Sequence, residues 1–167
     1  SNDASGSVVC ACLEGNRPIL VEVQALVAKT PYGMPRRTAV GFDYNRVTML
    51  LAILERRLGM DFGAYDAYVN VVGGMRVTEP AADLAVAAAL VSSYRNRPIP
   101  HGVLVMGEVG LTGEVRRIAS PERRIKDAMN LGFKRFVLPM GKLSLDEPCN
   151  GIVQVKTLEE ALDKVFA

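Results

Sequence analysis

The chain has 167 residues, a net charge of +2 at pH 7, 49% hydrophobic residues and 23% charged ones. That length and apolar share fit one domain with its own core and exclude a disordered segment. The charge is too small to point to nucleic acid by itself, and no apolar run reaches the ~18–20 residues of a membrane helix. With no Trp and only 6% aromatics, the core is expected to be aliphatic.

No secretory signal is visible, and the polar SNDASG at 1–6 reads as a flexible leader or an expression remnant. The domain is expected over 7–167, as a piece of a longer chain. Cys10, Cys12 and Cys149 form no CxxC pair, and His101 is the lone histidine. That set argues against a zinc site and for buried thiols in a reducing, cytoplasmic setting. Cys10 and Cys12 stand two apart and share one strand face. His101 follows Pro100 and reads as a turn residue.

SVVCACLEG (7–15) and RPILVEVQALVAK (17–29) alternate apolar residues around a Gly-Asn turn, the pattern of a β-hairpin. TPYGMPRR is a proline-broken loop, and RTAVG a short strand. From Asp43 to Gly59, Val47, Leu50, Leu51, Leu54 and Leu58 recur at helical spacing, with Asp43 as N-cap, Gly59 as C-cap, and Arg56 and Arg57 suited to the dipole. AYVNVV (67–72) is a strand, and GGM leads into TEPAAD. The run 83–94 is nearly all Ala, Val and Leu, so it reads as a central buried helix with Thr78 as cap and Pro80 in the first turn.

VLVMGEVGL (103–111) and TGEVRRI read as two strands. SPERRIKDAMNLG reads as a helix capped by Ser120 and burying Ile125, Ala128, Met129 and Leu131. KRFVLP and IVQVK are strands, and TLEEALDKVFA a last helix with a Thr157–Glu160 capping box. The order β-β-β-α-β-α-β-β-α-β-β-α, with hairpins first and alternation later, defines a single mixed α/β (α+β) domain without linker or repeat.

The catalytic inventory is thin. Gly141-Lys142 lacks the rest of a phosphate loop, and Gly73-Gly74-Met75 is no dinucleotide fingerprint. One histidine leaves no base for a Ser-His-Asp triad. A Ser-Lys dyad stays chemically open, since a desolvated Lys can act as base. Ser92 and Ser93 lie inside a helix, where hydroxyls bond back to the backbone, and Ser120 reads as a cap. Ser120 with Lys126 is the displaced-dyad alternative. Arginines come in pairs at 36–37, 56–57, 116–117 and 123–124, with Lys126, Lys134 and Arg135 nearby. Arg grips phosphates through its planar fork, although Arg56-Arg57 is accounted for by the helix end. Adjacent strand residues such as Arg116 and Arg117 point to opposite faces.

GEVGLTGEVRRIASPERRIKDAMNLGFKRFVLP, from Gly107 to Pro139, resembles without a gap the Lon proteolytic-domain pattern GEITLRGxVxPIGGLKEKxxAAxxxGxKxVxxP. TEPAADLAVAAALVSS likewise resembles Lon's DGPSAGxAMxTALVS. The resemblance implies a Lon proteolytic-domain-like fold and equates Ala81 with the nucleophilic serine and Glu122 with the catalytic lysine. Both dyad members are therefore absent, and no catalytic residue is expected. Alanine cannot attack a carbonyl, while Glu122 suits a helix N-terminus.

Within Lon-like proteins, EPAADLA and GEVGLTGEVR are similar to the C-terminal domain of the bacterial RadA (Sms) DNA-repair family. In that family the domain follows a zinc finger and a RecA-like ATPase. The resemblance implies a scaffold domain in a hexameric ring that drives branch migration as a DNA-dependent ATPase. ATP, Mg and Zn are expected only in domains not in this chain, with no cofactor or metal here. The implied partners are further copies of the chain, DNA and a RecA-type recombinase, with no membrane. The DNA-contact candidates, chosen by charge and expected exposure, are Arg36, Arg37, Arg116, Arg117, Arg123 and Arg124. A serine peptidase with a displaced dyad, or a protein-interaction module without DNA contact, is the alternative.

Overall fold

The computed structural model describes residues 4–167. Its first hairpin pairs β1 (Ser7–Glu14) with β2 (Arg17–Lys29) from Ser7↔Gln24 to Glu14↔Arg17. Gly15 at the first turn position has φ 64°, which a type II′ turn requires and a side chain resists. Val8, Cys10 and Cys12 point inward with Val21, Val23 and Ala25. The cysteines share a face as expected, with Sγ atoms 3.8 Å apart.

β3 (Arg37–Val40), α1 (Tyr44–Leu58), β4 (Tyr65–Val71) and α2 (Asp83–Arg95) follow. Next come β5 (Val103–Val105), β6 (Glu108–Val109), β7 (Val115–Arg116) and α3 (Pro121–Asn130). The chain closes with β8 (Arg135–Pro139), β9 (Ile152–Val155) and α4 (Leu158–Phe166). Seven strands make one mixed sheet in the order β3-β4-β2-β1-β5-β8-β9, and β6 with β7 forms a separate two-stranded ribbon. Antiparallel ladders join β1, β2 and β4, and parallel ladders join β5, β8 and β9. β1 meets β5 at a single position, Val9↔Leu104. The fold is thus the expected mixed α/β domain.

α2 is the central element. Every residue from Asp83 to Ser92 is buried, and the helix packs on β1, β2, β4 and β5 and against α1 and α4. Its four alanines, 85 and 87–89, with Ala82 just before, let these neighbours approach closely. Ser92 and Ser93 do not bond back within the helix. Ser92 Oγ accepts Gly6 N–H at 2.8 Å and donates to Arg97 O, and Ser93 Oγ accepts Val27 N–H at 2.8 Å. The hydroxyls thus tie α2 to β2 and to the residue just before β1. Residues 1–3 of the expected leader lie outside the described residues, while Ser5 bonds Asn96 and Gly6 bonds Ala25 and Ser92.

Three expectations are corrected. The stretch 103–111 is two strands, because the backbone of Gly107 leaves the sheet to serve α2: its N–H donates to Ala81 O (2.8 Å) and its carbonyl accepts Leu84 N–H (3.0 Å). A side chain at Gly107 would meet Val115 Cγ1 at 2.9 Å. Asp43 and Ser120 stand at their helix starts without a side-chain cap bond, Ser120 in the left-handed region, and Thr78 caps nothing, since the turn before α2 begins after Glu79. In α3, Leu131 is exposed just past the helix end and Met129 half-buried, while Arg124 joins Ile125 and Ala128 inside. At α4, Thr157 Oγ1 accepts Glu160 N–H, and Glu160 Oε1 accepts the N–H of Lys156, a capping box shifted by one donor.

Candidate functional site

Pro80–Ala82 forms a single 3-10 turn that feeds α2. Ala81, at the position equated with a nucleophile, is 3% exposed. Its carbonyl accepts Gly107 N–H, and Cys10 Sγ lies 3.8 Å from the same oxygen. The Cys10 thiol is pushed well up by its contact with Cys12 and by burial, so it stays protonated and is no substitute nucleophile. Glu122, at the position equated with the lysine, sits in the first turn of α3 and accepts the N–H of Ser144 at 3.2 Å. Its carboxylate serves the 140s loop and not the turn at Ala81.

What occupies the vicinity of Ala81 is a different pair. Arg124 is 0% exposed, and its guanidinium grips Glu79 through Nη1 (2.5 Å to Oε1) and Nη2 (3.0 Å to Oε2). It also donates to Ala11 O at 2.8 Å and Ala119 O at 2.9 Å, while Glu79 Oε1 accepts Leu13 N–H at 2.6 Å. The reason is topological. β1 loses its β5 neighbour after Val9, so the edge groups at Ala11 and Leu13 need partners. The ion pair supplies a donor to one and an acceptor to the other. A fork of five donors suits this work, and a lysine could not make the same four contacts. Arg124, chosen as an exposed DNA contact, is therefore corrected: it is a buried structural residue.

A second pair stands across the turn. Asp83 is fully buried, is gripped by Arg46 of α1 and accepts Val109 N–H at 3.1 Å. Burial raises the Asp83 carboxyl above the usual range, opposed by the Arg46 and Val109 bonds. The two pairs bracket Ala81 and fix the turn to β1, α1, α3 and β6. Sequence reading missed Glu79, Asp83 and Arg46. The available signal was Arg124 standing four residues before Ala128 on the apolar stripe of α3.

The other arginines divide by how far the fold uses them. Arg37 is half-buried and donates to Tyr65 O and to Phe62 O (3.0 Å). Arg116 is exposed but neutralised by Glu114 at 2.8 Å and Glu108 at 3.7 Å. Arg123 is exposed and donates to Asn16 O at 2.6 Å. Arg36 and Arg117 are exposed, with no ion pair among the described residues. Arg117 borders a cleft with Ile118, Met140, Gly141, Lys142 and Gln154. Arg123 and Arg36 lie beyond opposite ends of the 13-residue β2, about 40 Å apart at ~3.3 Å per residue. The six do not form one patch on one chain. Ser120 and Lys126 are both exposed, which denies that lysine the desolvation a base needs.

A mixed α/β domain with a filled-in turn is what these features define. Residues 23–142 match the family model described as subunit ChlI of Mg-chelatase, and the chain belongs to that family. Its curated relatives include the DNA repair protein RadA of Pseudomonas aeruginosa, 51% identical over 162 residues, 96% of this chain and 36% of that protein. RadA of Halalkalibacterium halodurans is 47% identical over 167 residues, 98% of this chain and 36% of that protein. RadA of Bacillus subtilis is 46% identical over 164 residues, 97% and 36%. The chain thus spans about a third of the length of these relatives. No helix among the described residues is long and apolar enough to cross a membrane, and no cluster of three or more metal-ligating side chains occurs there.

Proposed function

We propose that the chain is a non-catalytic, Lon-like scaffold domain of a RadA-type DNA repair protein. It supports assembly of a hexameric ring and binds DNA without sequence preference. An attached ATPase would use that ring for branch migration beside a RecA-type recombinase, with ATP, Mg and Zn bound outside this domain. The observation that carries the reading is the identity to RadA across nearly the whole chain, together with a buried alanine, braced by two ion pairs, at the nucleophile position. A turn so rigidly retained without its hydroxyl serves architecture.

Two measurements test this. Native mass spectrometry should give a six-fold species, and a chain that stays monomeric at high concentration removes assembly from the domain itself. DNA affinity should fall steeply with salt, and charge reversal at Arg36 and Arg117, two exposed arginines without an ion pair among the described residues, should lower both affinity and slope. Unchanged affinity and slope would mean that those arginines are not phosphate contacts, and a chain that binds no DNA at all would favour an interaction module.

A further inference from the structure

The loop joining β2 to β3 is pinned at its base and open at its tip. Thr30 donates its N–H to Ala64 O (2.8 Å) and its hydroxyl to Asp66 Oδ1 (2.9 Å). The same carboxylate oxygen accepts Arg36 N–H at 2.8 Å, and Arg36 O accepts Ala67 N–H at 2.9 Å. The Arg36 N–H, then the Thr30 hydroxyl, hold the Asp66 carboxyl below the usual range, so this anchor is charged at neutral pH. Arg37 adds its two bonds to the carbonyls of Tyr65 and Phe62. Between the anchors, Tyr32 and Met34 are 89% and 86% exposed. Among the described residues Tyr32 makes no hydrogen bond or ring contact, whereas the nearby rings of Phe62 and Tyr65 both pack on Tyr94. Lys29 and Arg36 are exposed at the two ends of the loop, neither with an ion pair among the described residues.

We propose that this tip is a contact for single-stranded DNA, in which the Tyr32 ring stacks on an unpaired base and Arg36 and Lys29 hold the adjoining phosphates. The geometry favours that occupant. A ring with free faces on a firm base is a stacking platform, and only an unpaired base offers a free face to it. Two exposed cations beside the ring, neither in a direct ion pair among the described residues, complement a phosphate chain, and they would be costly to bury in an apolar protein interface. The inference rests on the DNA-binding reading above and adds to it the strand type and the residue that distinguishes it.

The chain contains no tryptophan, so Tyr32→Trp places a single indole at the tip. Its emission should be quenched by oligothymidylate and left unchanged by an abasic strand of equal charge. Tyr32→Ala should weaken oligothymidylate binding about tenfold with little change in salt slope, whereas Arg36→Gln should reduce the slope by about 0.7. Because Tyr32 is 89% exposed and makes no hydrogen bond or ring contact among the described residues, these variants should keep the wild-type circular dichroism. If the wild-type chain binds no oligothymidylate, the DNA reading fails and this inference with it. If the wild type binds but Tyr32→Ala binds equally well, or the indole stays unquenched, the inference alone is overturned. It is equally overturned if Tyr32→Ala changes the oligomeric mass and leaves DNA binding intact, since the tip then touches protein.

Discussion

Remove the Arg124 guanidinium and Glu79 keeps its charge in a mostly buried position, while Ala11 O and Leu13 N–H lose an ordered partner. Breaking a buried pair from one side costs ~3–5 kcal/mol, and the partial exposure of Glu79 places Arg124→Met near the lower end, at about 3 kcal/mol. The midpoint of urea denaturation should fall accordingly. The double variant Glu79→Met/Arg124→Met should lose less than the two single losses summed, because no lone charge is left behind. Ala81→Ser places a hydroxyl back in the turn without a base, since Glu122 is engaged with Ser144. That variant should not react with serine-directed phosphonate probes, and labelling at residue 81 would revive a hydrolase.

At the scale of elements, α2 and the β6–β7 ribbon make opposite predictions. Ala88 is fully enclosed, so Ala88→Leu should cost about 1–3 kcal/mol by overpacking, read as a drop in melting temperature. The ribbon is held by the Glu114 side chain, which accepts from the Thr112 N–H and hydroxyl and from Arg116. Those bonds, that with the Thr112 hydroxyl foremost, lower its pKa to about 2. The folded value lies below the ordinary ~4.3 of a free Glu, so the stabilisation is complete above that pH and is lost as pH falls toward 2. Carboxyl NMR should show the low midpoint, and Glu114→Gln should remove the ribbon's acid sensitivity in that window.

The elements legible in the sequence are those whose burial follows a period. The hairpin, α1, α4 and the all-apolar α2 announce themselves because each packs one stripe, one face or every side against a neighbour. The break at Gly107 was hidden because its cause is a pair of bonds to Ala81 and Leu84, more than twenty residues away. Arg124 was misread for a like reason. A charged residue is assigned to the surface unless its partner is known, and Glu79 lies 45 positions earlier. The turn at Ala81 was marked in the sequence by its motif words, but the ion pairs that surround it were not.

For the whole molecule, the position of the charges matters more than their number. The candidate contacts are spread over the domain, with Arg123 and Arg36 beyond opposite ends of β2, so one chain offers scattered contacts, and only several copies could line a common path. The expected signature is a DNA affinity that rises with assembly: dilution below the oligomer's dissociation range should weaken binding by tenfold or more in a labelled-strand titration. An affinity independent of protein association would point to a local site on each chain.

One feature of the sheet bears on how such an assembly would carry load. β1 and β5 share only the Val9↔Leu104 position, so the four-stranded and three-stranded halves meet along a seam with almost no backbone stitching. α2 lies across that seam as a strut, and the Glu79–Arg124 clasp closes its open stretch. A force applied between β3 and β9 would run along the ladders of each half and cross between them mainly through packed side chains of α2 and one salt bridge. The seam is the line of fewest backbone bonds across the sheet, and the charged clasp is what bonds the stretch of β1 beyond it.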